Sequence, residues 1–257
     1  MEIIEATPAA PLLHVRDLSS AYITRPWGIF GKKEIKPVLN NVNLEIAHGE
    51  IFGLVGESGC GKTTLAKCIL GLIDYQGEVF FSGKVREKKR SVRSRRHRAF
   101  EIQAVFQNPG ASLNPAKTIG WILEEPLKAH GLGNPAERQA QVDEMLDLVG
   151  LDAAFKTRKP RELSSGQKQR AAIAAALMLR PSLIVADEPV SALDVSVAAQ
   201  ILNLFRDLNK RLDLGMLFIS HNIEQVNYLC DRVAVMHSGI AGDLQQPPYP
   251  LHVQQKV

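Results

Sequence analysis

Short runs of apolar residues recur along the chain, and most are about as long as a buried strand. They predict strands at 12–15, 38–46, 51–55, 77–81, 102–106, 182–186, 216–220 and 233–236. Segments with helical spacing predict helices at 63–72, 137–149, 167–179 and 196–212. Because strands alternate with helices, the pattern indicates an α/β fold whose parallel sheet is covered by helices on both faces.

One segment departs from this alternation. Between residues 108 and 162, prolines, glycines and asparagines punctuate helical patterns such as ERQAQVDEMLDLV at 137–149. The sequence therefore predicts a helical insertion, after which strands and helices alternate again.

The composition is that of an ordinary globular chain and excludes some other classes. Of the 257 residues, 45% are hydrophobic and 23% charged, and no apolar run is long enough to span a bilayer. The N-terminus carries Glu2 and Glu5 instead of a basic segment, so we do not expect a secretory signal. Cys60, Cys68 and Cys230 are odd in number and lack C-x-x-C spacing, which argues against a disulfide framework or zinc site and favours a reduced, cytoplasmic setting.

The clearest chemical signal is GESGCGKT at 56–63, which fits G-x-x-x-x-G-K-[ST] in full. It follows an apolar strand and precedes a predicted helix, the context in which such a loop binds phosphate. Glycines let backbone N–H groups curl around phosphate oxygens, and the helix start adds positive dipole. We expect Lys62 to reach the β- and γ-phosphates and the Thr63 hydroxyl to bind Mg²⁺. The predicted cradle comprises Gly56, Glu57, Ser58, Gly59, Cys60, Gly61, Lys62, Thr63 and Thr64.

A second element, LIVADE at 183–188, is an apolar strand that ends in two carboxylates. In open α/β sheets, ligands bind at the carboxyl ends of the strands. Asp187 can hold Mg²⁺ there, and Glu188 can orient and polarise an attacking water. Because adjacent carboxylates repel each other, a cation is expected nearby.

A third element, LSSGQ at 163–167, opens a predicted helix. Ser164 or Ser165 would cap this helix, and the same free amides can instead receive an anion. Together with the KQR that follows, the segment resembles the signature of ATP-binding cassette (ABC) ATPases, usually LSGGQ. Gln107 matches the family's Q-loop glutamine, SALD at 191–194 its D-loop, and His221 its switch histidine.

This resemblance implies a P-loop NTPase core with a parallel sheet, an N-terminal antiparallel β subdomain and a helical subdomain, all in one ABC ATPase domain. The core would occupy about 12–107 and 168–240, the helical subdomain about 108–167, and a short tail 241–257. Two cassettes of this family face each other head to tail, and each ATP lies between the P-loop of one and the signature of the other.

The resemblance also implies roles for single residues. Glu188 would be the base, His221 would contact the γ-phosphate, and Lys62 and Gln107 would complete the catalytic set. Thr63, Gln107 and Asp187 would hold Mg²⁺. Besides the cradle, the implied nucleotide contacts are Tyr22 on the adenine, with Trp27 and Phe30 as less favoured candidates, and Gln107, Ser164, Gly166, Gln167 and Asp194.

Further motifs resemble one branch of the family, the oligopeptide, dipeptide and nickel importers. They are FQNP at 106–109, SLNP at 112–115 and DEPVSALD at 187–194. For such an importer we expect ATP and Mg²⁺ as ligands and a second ABC ATPase subunit, identical or not. We also expect two permease subunits, one docking a coupling helix on the helical insertion, and indirectly an extracytoplasmic solute-binding protein. The chain would lie peripherally on the cytoplasmic face of the membrane, and its sequence does not specify the solute.

Two other functions fit parts of the sequence. The run KVREKKRSVRSRRHR at 84–98 holds nine Lys or Arg, which could bind nucleic acid. Since the chain carries a single uninterrupted cassette, we interpret this basic run as a solvated surface that could lie near anionic lipid head groups. We expect no nucleic-acid partner. Alternatively, Ser165 replaces the usual glycine of the signature and could disable hydrolysis, leaving a nucleotide-gated subunit. The retained Glu188 and His221 favour an active ATPase.

Overall fold

The computed structural model describes residues 10–24, 34–86 and 92–245. Its strands are β1 (Leu13–Thr24), β2 (Glu34–Ile46), β3 (Ile51–Gly56), β4 (Gln76–Phe81), β5 (Lys84–Val85), β6 (Ile102–Phe106), β7 (Leu183–Asp187), β8 (Gly215–Ser220), β9 (Arg232–His237) and β10 (Ile240–Gln245). Its helices are α1 (Lys62–Ile69), α2 (Val92–Glu101), α3 (Pro109–Ser112), α4 (Ile119–His130), α5 (Pro135–Leu148), α6 (Ser165–Leu177), α7 (Val195–Leu212) and α8 (Ile223–Leu229). Two 3₁₀ helices, Ala153–Thr157 and Pro160–Glu162, connect α5 to α6.

The larger sheet has six strands in the order β10-β9-β3-β8-β7-β6. All neighbours from β9 to β6 pair in parallel, and β10 adds an antiparallel strand at one edge. The predicted parallel sheet is therefore confirmed. Since β3, β8, β7 and β6 run in the same direction, the loops that follow them emerge at one edge of the sheet.

Residues of β3 show how this sheet is covered. Ile51 and Val55 point into a core formed with the helical insertion, α6 and α7. Phe52 and Leu54 point into a second core formed with α1 and the antiparallel sheet. A strand buried on both faces is apolar throughout, which explains the continuous run that predicted β3.

The antiparallel sheet has the order β2-β1-β4-β5. Its first strand, β1, runs to Thr24, well beyond the predicted end at residue 15. The prediction stopped early because the second half of the strand has no regular apolar pattern. Register shifts interrupt the pairing of β1 with β2 between Val15 and Ala21, and Asp17 has a left-handed φ of +50°. Pro37 lies in β2 at the edge of the sheet, where a missing backbone donor is tolerated.

The helical insertion begins directly after β6. Side-chain caps start its two main helices: Thr118 accepts a hydrogen bond from the backbone of Trp121 at α4, and Asn134 forms a capping box with Glu137 at α5. The insertion packs on α6, which returns the chain to the sheet. No helix in the described part of the chain is long and apolar enough to cross a membrane.

Several elements were not predicted individually, among them the short β5 and α3. Helix α2 falls within the basic run, and α8 has only seven residues. Strand β10 pairs with β9 up to Gln245, so the sheet includes residues that the sequence analysis assigned to a tail.

Candidate functional site

Four adjacent strands deliver the candidate residues to one edge of the sheet. The P-loop follows β3, His221 follows β8, Asp187 ends β7 with Glu188 next to it, and Gln107 follows β6. Because β8 lies between β3 and β7, residues distant in sequence become neighbours here.

Glycines shape the P-loop. Gly59 and Gly61 have left-handed φ values of +83° and +112°, and Gly61 caps the start of α1. A Cβ atom on Gly61 would lie 2.9 Å from Leu39 Cδ2 and 3.1 Å from the Val38 carbonyl oxygen. The loop therefore needs glycine here both for its backbone conformation and for its close approach to β2.

The lysine of this loop is buried, with only 5% of its surface exposed. Lys62 Nζ donates to the carbonyl oxygens of Gly56 and Glu57, each at 2.7 Å, and lies 3.7 Å from Cys60 Sγ. The loop thus wraps around its own ammonium group. An incoming phosphate would replace these two carbonyls as the partners of the lysine.

All three cysteines are unpaired thiols. Burial raises the pKa of Cys68 to about 11 and raises the pKa of Cys230 as well, so both stay protonated at neutral pH. Both thiols are buried in the core, where they pack as small apolar side chains.

Tyr22 lies beside the start of α1. Its hydroxyl is 3.4 Å from Thr64 Oγ1, and 42% of the residue is exposed. An exposed aromatic next to the phosphate loop is suited to stack on a nucleotide base. The other two candidates for this role, Trp27 and Phe30, lie outside the described residues.

Asp187 is buried, with 6% of the residue exposed, and its carboxyl lies near the side chain of Thr63. Burial raises the pKa of its carboxyl and the charge of Glu188 adds to this, whereas Thr63, Lys62 and Lys67 oppose the shift. Among the described residues, nothing hydrogen-bonds to its Oδ1. A buried carboxylate oxygen without a partner, next to a threonine hydroxyl, offers the hard oxygen ligands that Mg²⁺ prefers, so these residues fit the ion.

Replacement of Asp187 by Asn tests this interpretation. Because the pKa of Asp187 is raised in the folded chain, ionisation destabilises the ligand-free protein as pH rises through that pKa. We expect Asp187→Asn to raise the Tm of the ligand-free chain by a few degrees at neutral pH, and the gain to shrink as pH is lowered. In this variant, adding Mg²⁺ together with ATP should raise the Tm no further than ATP alone does.

The matched control is Asp194→Asn, measured by the same thermal unfolding. A hydrogen bond from the backbone of Val197 lowers the pKa of Asp194, so this substitution should slightly destabilise the chain. Equal Tm changes for both variants would contradict the proposed burial effect at Asp187.

Glu188 adopts a left-handed backbone with φ +49°. Its N–H donates to the carbonyl of Ile219 at 2.9 Å, which ties it to β8. One carboxylate oxygen lies 3.2 Å from Nδ1 of His221, whose side chain is 59% exposed. In such a pair at a sheet edge, the carboxylate can orient a water molecule while the exposed histidine contacts a phosphate.

The segment around His221 is fixed by polar neighbours. Ser220 is buried and its hydroxyl donates to Gln225 at 2.9 Å, while Asn222 caps α8. These contacts hold the backbone on either side and leave the imidazole exposed. Sequence reasoning did not single out Ser220, and its only signal is its place at the end of an apolar strand.

Gln107 is exposed directly after β6. Phe106, the last residue of that strand, pairs in register with Asp187. The glutamine therefore leaves the sheet next to the acidic residues, at the junction with the helical insertion.

The signature segment forms the start of α6. Ser164, not Ser165, is the N-cap: its Oγ accepts from the Gln167 backbone at 3.3 Å, and Gln167 Oε1 accepts from Ser164 N at 3.0 Å. The side-chain oxygen of Gln167 is thus engaged within its own helix. Among the described residues, no hydrogen bond joins this segment to the P-loop of the same chain.

The two small residues of the signature differ in their surroundings. A Cβ on Gly166 would lie 2.6 Å from Val197 Cγ1 of α7, so a side chain there would require Val197 to move. Ser165 is exposed, is the first residue of the helix and has no left-handed φ. The departure from the usual signature therefore falls where the fold accepts a side chain.

Asp194 caps α7 and is exposed. Its Oδ1 accepts from the Val197 backbone at 3.0 Å and from Ser196 Oγ at 3.2 Å. Because these bonds favour the carboxylate, its pKa is lowered. Val197 thus contacts both the cap of α7 and the glycine of the signature.

Fold and site together define a P-loop nucleotide-binding domain of the α/β class. A family model described as "ABC transporter" matches residues 39–191, more than half of the chain. The chain therefore belongs to the ABC transporter family, whose nucleotide-binding domain binds ATP.

Relatives at high identity carry transport names. The dipeptide transport ATP-binding protein DppF of Lactococcus lactis is 46% identical over 234 residues, which are 88% of this chain and 75% of the relative. The oligopeptide transport ATP-binding protein AppF of Bacillus subtilis is 41% identical over 248 residues, or 94% of this chain and 75% of the relative.

Solved structures support the predicted fold. The ATP-binding cassette MJ0796, described as dimeric in a post-hydrolysis state with ADP and Pi, has a TM-score of 0.79 and 29% identity, covering 93% of this chain and 100% of that one. CbiO1 of Clostridium perfringens, described as part of the ABC transporter complex cbiONQ, has a TM-score of 0.78 and 27% identity, covering 93% and 89%. The predicted ABC ATPase fold is confirmed.

Proposed function

We propose that this chain hydrolyses MgATP to energise the uptake of peptides through a membrane transporter. The observation that carries the proposal is the meeting of three groups at one sheet edge: the P-loop with Lys62, the buried Asp187 near Thr63, and Glu188 paired with His221. Two relatives are named as dipeptide and oligopeptide transport proteins, which supports peptides as the solute class.

Each group has a task in phosphoryl transfer to water. Lys62 and the loop amides bind the phosphate chain, and Glu188 accepts a proton from the attacking water. His221, within hydrogen-bond reach of Glu188, contacts the γ-phosphate and keeps the carboxylate oriented. Thr63, Asp187 and Gln107 would hold Mg²⁺, which supplies positive charge to the phosphate oxygens.

A complete site requires a second cassette. This chain has two helix starts suited to phosphate, at α1 and α6, but only one lysine loop, and the hydrogen bonds of α6 do not reach that loop. We infer that Ser164 and Gly166 face the nucleotide of a partner cassette, with Gln167 and Asp194 nearby. The dimeric state described for MJ0796 supports this arrangement.

The transporter supplies the remaining partners. Two permease subunits would hold the pair of cassettes at the cytoplasmic face of the membrane, with a coupling helix on the insertion next to Gln107. A solute-binding protein would act from the other side.

The test of this function is ATP hydrolysis as a function of chain concentration. The purified chain should hydrolyse MgATP weakly, and the rate per chain should rise with concentration and with addition of its membrane partner, because ATP bridges two cassettes. A rate per chain that is high and independent of concentration, from a strictly monomeric protein, would defeat the two-cassette mechanism.

The basic run permits a test against a nucleic-acid function. Part of it forms α2, where Arg96 donates to the Ala129 carbonyl at 3.2 Å and His97 pairs with Glu101 at 3.3 Å. We expect charge reversal at Arg93, Arg95 and Arg96 to leave basal ATP hydrolysis nearly unchanged. Salt-sensitive, micromolar DNA or RNA binding by the wild type that is lost in this variant would support a nucleic-acid function instead.

A hydrolysis-impaired subunit is disfavoured by the exposed, helical position of Ser165. Single-turnover hydrolysis separates the two cases, because an impaired subunit would bind ATP without releasing phosphate.

A further inference from the structure

The candidate base of this site is held in an unusual backbone conformation. Glu188 has φ +49°, in the left-handed region that residues with a side chain seldom adopt. Such a conformation persists when the surrounding contacts fix it. Because the direction of a side chain follows from its backbone, whatever fixes φ at Glu188 also directs its carboxylate.

Hydrogen bonds fix both peptide groups of Glu188. Its N–H donates to Ile219 O at 2.9 Å, and its carbonyl accepts two bonds from Ser191. The Ser191 backbone N–H lies at 3.3 Å from that oxygen and the Ser191 hydroxyl at 3.1 Å. The backbone bond is beyond the usual length for N–H···O, so the hydroxyl provides the shorter of the two contacts.

We propose that Ser191 is a positioning residue for Glu188: its hydroxyl holds the left-handed turn and thereby aims the carboxylate at the water that attacks ATP. The inference rests on the proposed role of Glu188 as the base. Ser191 is exposed at the start of the segment that leads to Asp194, and its described hydrogen bonds both end on the Glu188 carbonyl.

Ser191 variants separate this role from a general structural one. Ser191→Ala removes the hydroxyl bond and keeps the backbone bond, whereas Ser191→Thr keeps both. Ser196→Ala is the matched control, because its hydroxyl donates to Asp194 and not to Glu188. The measurement is kcat and KM for MgATP with the full chain, together with thermal unfolding.

We expect Ser191→Ala to lower kcat about tenfold while KM changes less than about twofold, since misplacement of a reacting group acts on the chemical step. Ser191→Thr should recover most of the lost kcat, and Ser196→Ala should match the wild type. The inference is overturned by full kcat in Ser191→Ala, by a change confined to KM, or by failure of Ser191→Thr to recover activity.

A double variant tests whether Ser191 acts through Glu188. In single-turnover phosphate release, Ser191→Ala should add no further loss to Glu188→Gln, because a base that is absent cannot be misplaced. A further tenfold loss would show that Ser191 acts elsewhere, for example on a partner cassette, and would overturn the inference. A wild type that does not hydrolyse ATP contradicts the proposed function itself, whereas a hydrolysing wild type with an unaffected Ser191→Ala contradicts only the role of Ser191.

Discussion

Glu188→Gln should lower ATP turnover at least about 100-fold while ATP still binds, the scale on which general-base catalysis operates. The amide preserves the size of the side chain and can still accept a hydrogen bond from His221, which lies 3.2 Å from the carboxylate. It cannot take a proton from water at neutral pH. Steady-state hydrolysis together with equilibrium ATP binding measures both effects.

Blocked hydrolysis should also trap the bridged pair of cassettes. Sizing of Glu188→Gln with its true partner cassette should show a dimer with MgATP and monomers without it. Glu224→Gln, an acidic residue in the first turn of α8, is the control and should behave as the wild type. Steady-state hydrolysis by Glu188→Gln at the wild-type rate would remove this residue from the role of base.

Lys62→Ala should weaken ATP binding by about tenfold or more, because it removes a charged hydrogen-bond donor worth roughly 1.5–3 kcal/mol. The buried ammonium donates to the Gly56 and Glu57 carbonyls and lies near Cys60 Sγ. Its loss also leaves those oxygens without a charged partner. Titration of the chain with a fluorescent ATP analogue measures the change.

The control for this experiment is Lys67→Ala, which removes the same charge from the last turn of the same helix. Its nucleotide affinity should stay within about twofold of the wild type, as is usual for a substitution away from the contact. Unchanged affinity in Lys62→Ala would contradict the assignment of this lysine to phosphate.

Elements with a strong apolar pattern were predictable from sequence. Strands β3, β7 and β8 are buried along their whole length, so their sequences are apolar without interruption. The helix α7 was predicted because it is strongly amphipathic and ends in a short turn at Asp213.

Elements stabilised by tertiary contacts were harder to predict. Half of the residues of helix α2 are charged, so its sequence lacks an apolar stripe, although Phe100 packs edge-on against His130. Residues 19–22 in the second half of β1 are half-buried or exposed and lack a buried apolar face, so only pairing with β2 reveals this part as a strand. Strand β10 depends in the same way on β9.

The candidate site likewise contains residues that the sequence predicted and contacts that only the structure reveals. Motif spacing located the P-loop, Asp187, Glu188 and His221 because each follows an apolar strand. The contact of Gly166 with Val197 and the bonds from Ser191 to Glu188 arise from how the chain turns in space. No residue type or spacing signals them.

The buried position of Lys62 bears on how the nucleotide is recognised. An ammonium group in water holds a tightly bound hydration shell, and removing that shell opposes the binding of any anion. Here only 5% of the lysine is exposed, and two carbonyl oxygens already stand where water would be. Dehydration of the cation is therefore completed during folding, and the loop is preorganised for a ligand that supplies more negative charge than two peptide dipoles. A triphosphate meets that condition, whereas a neutral nucleoside would leave the ammonium with its carbonyl partners.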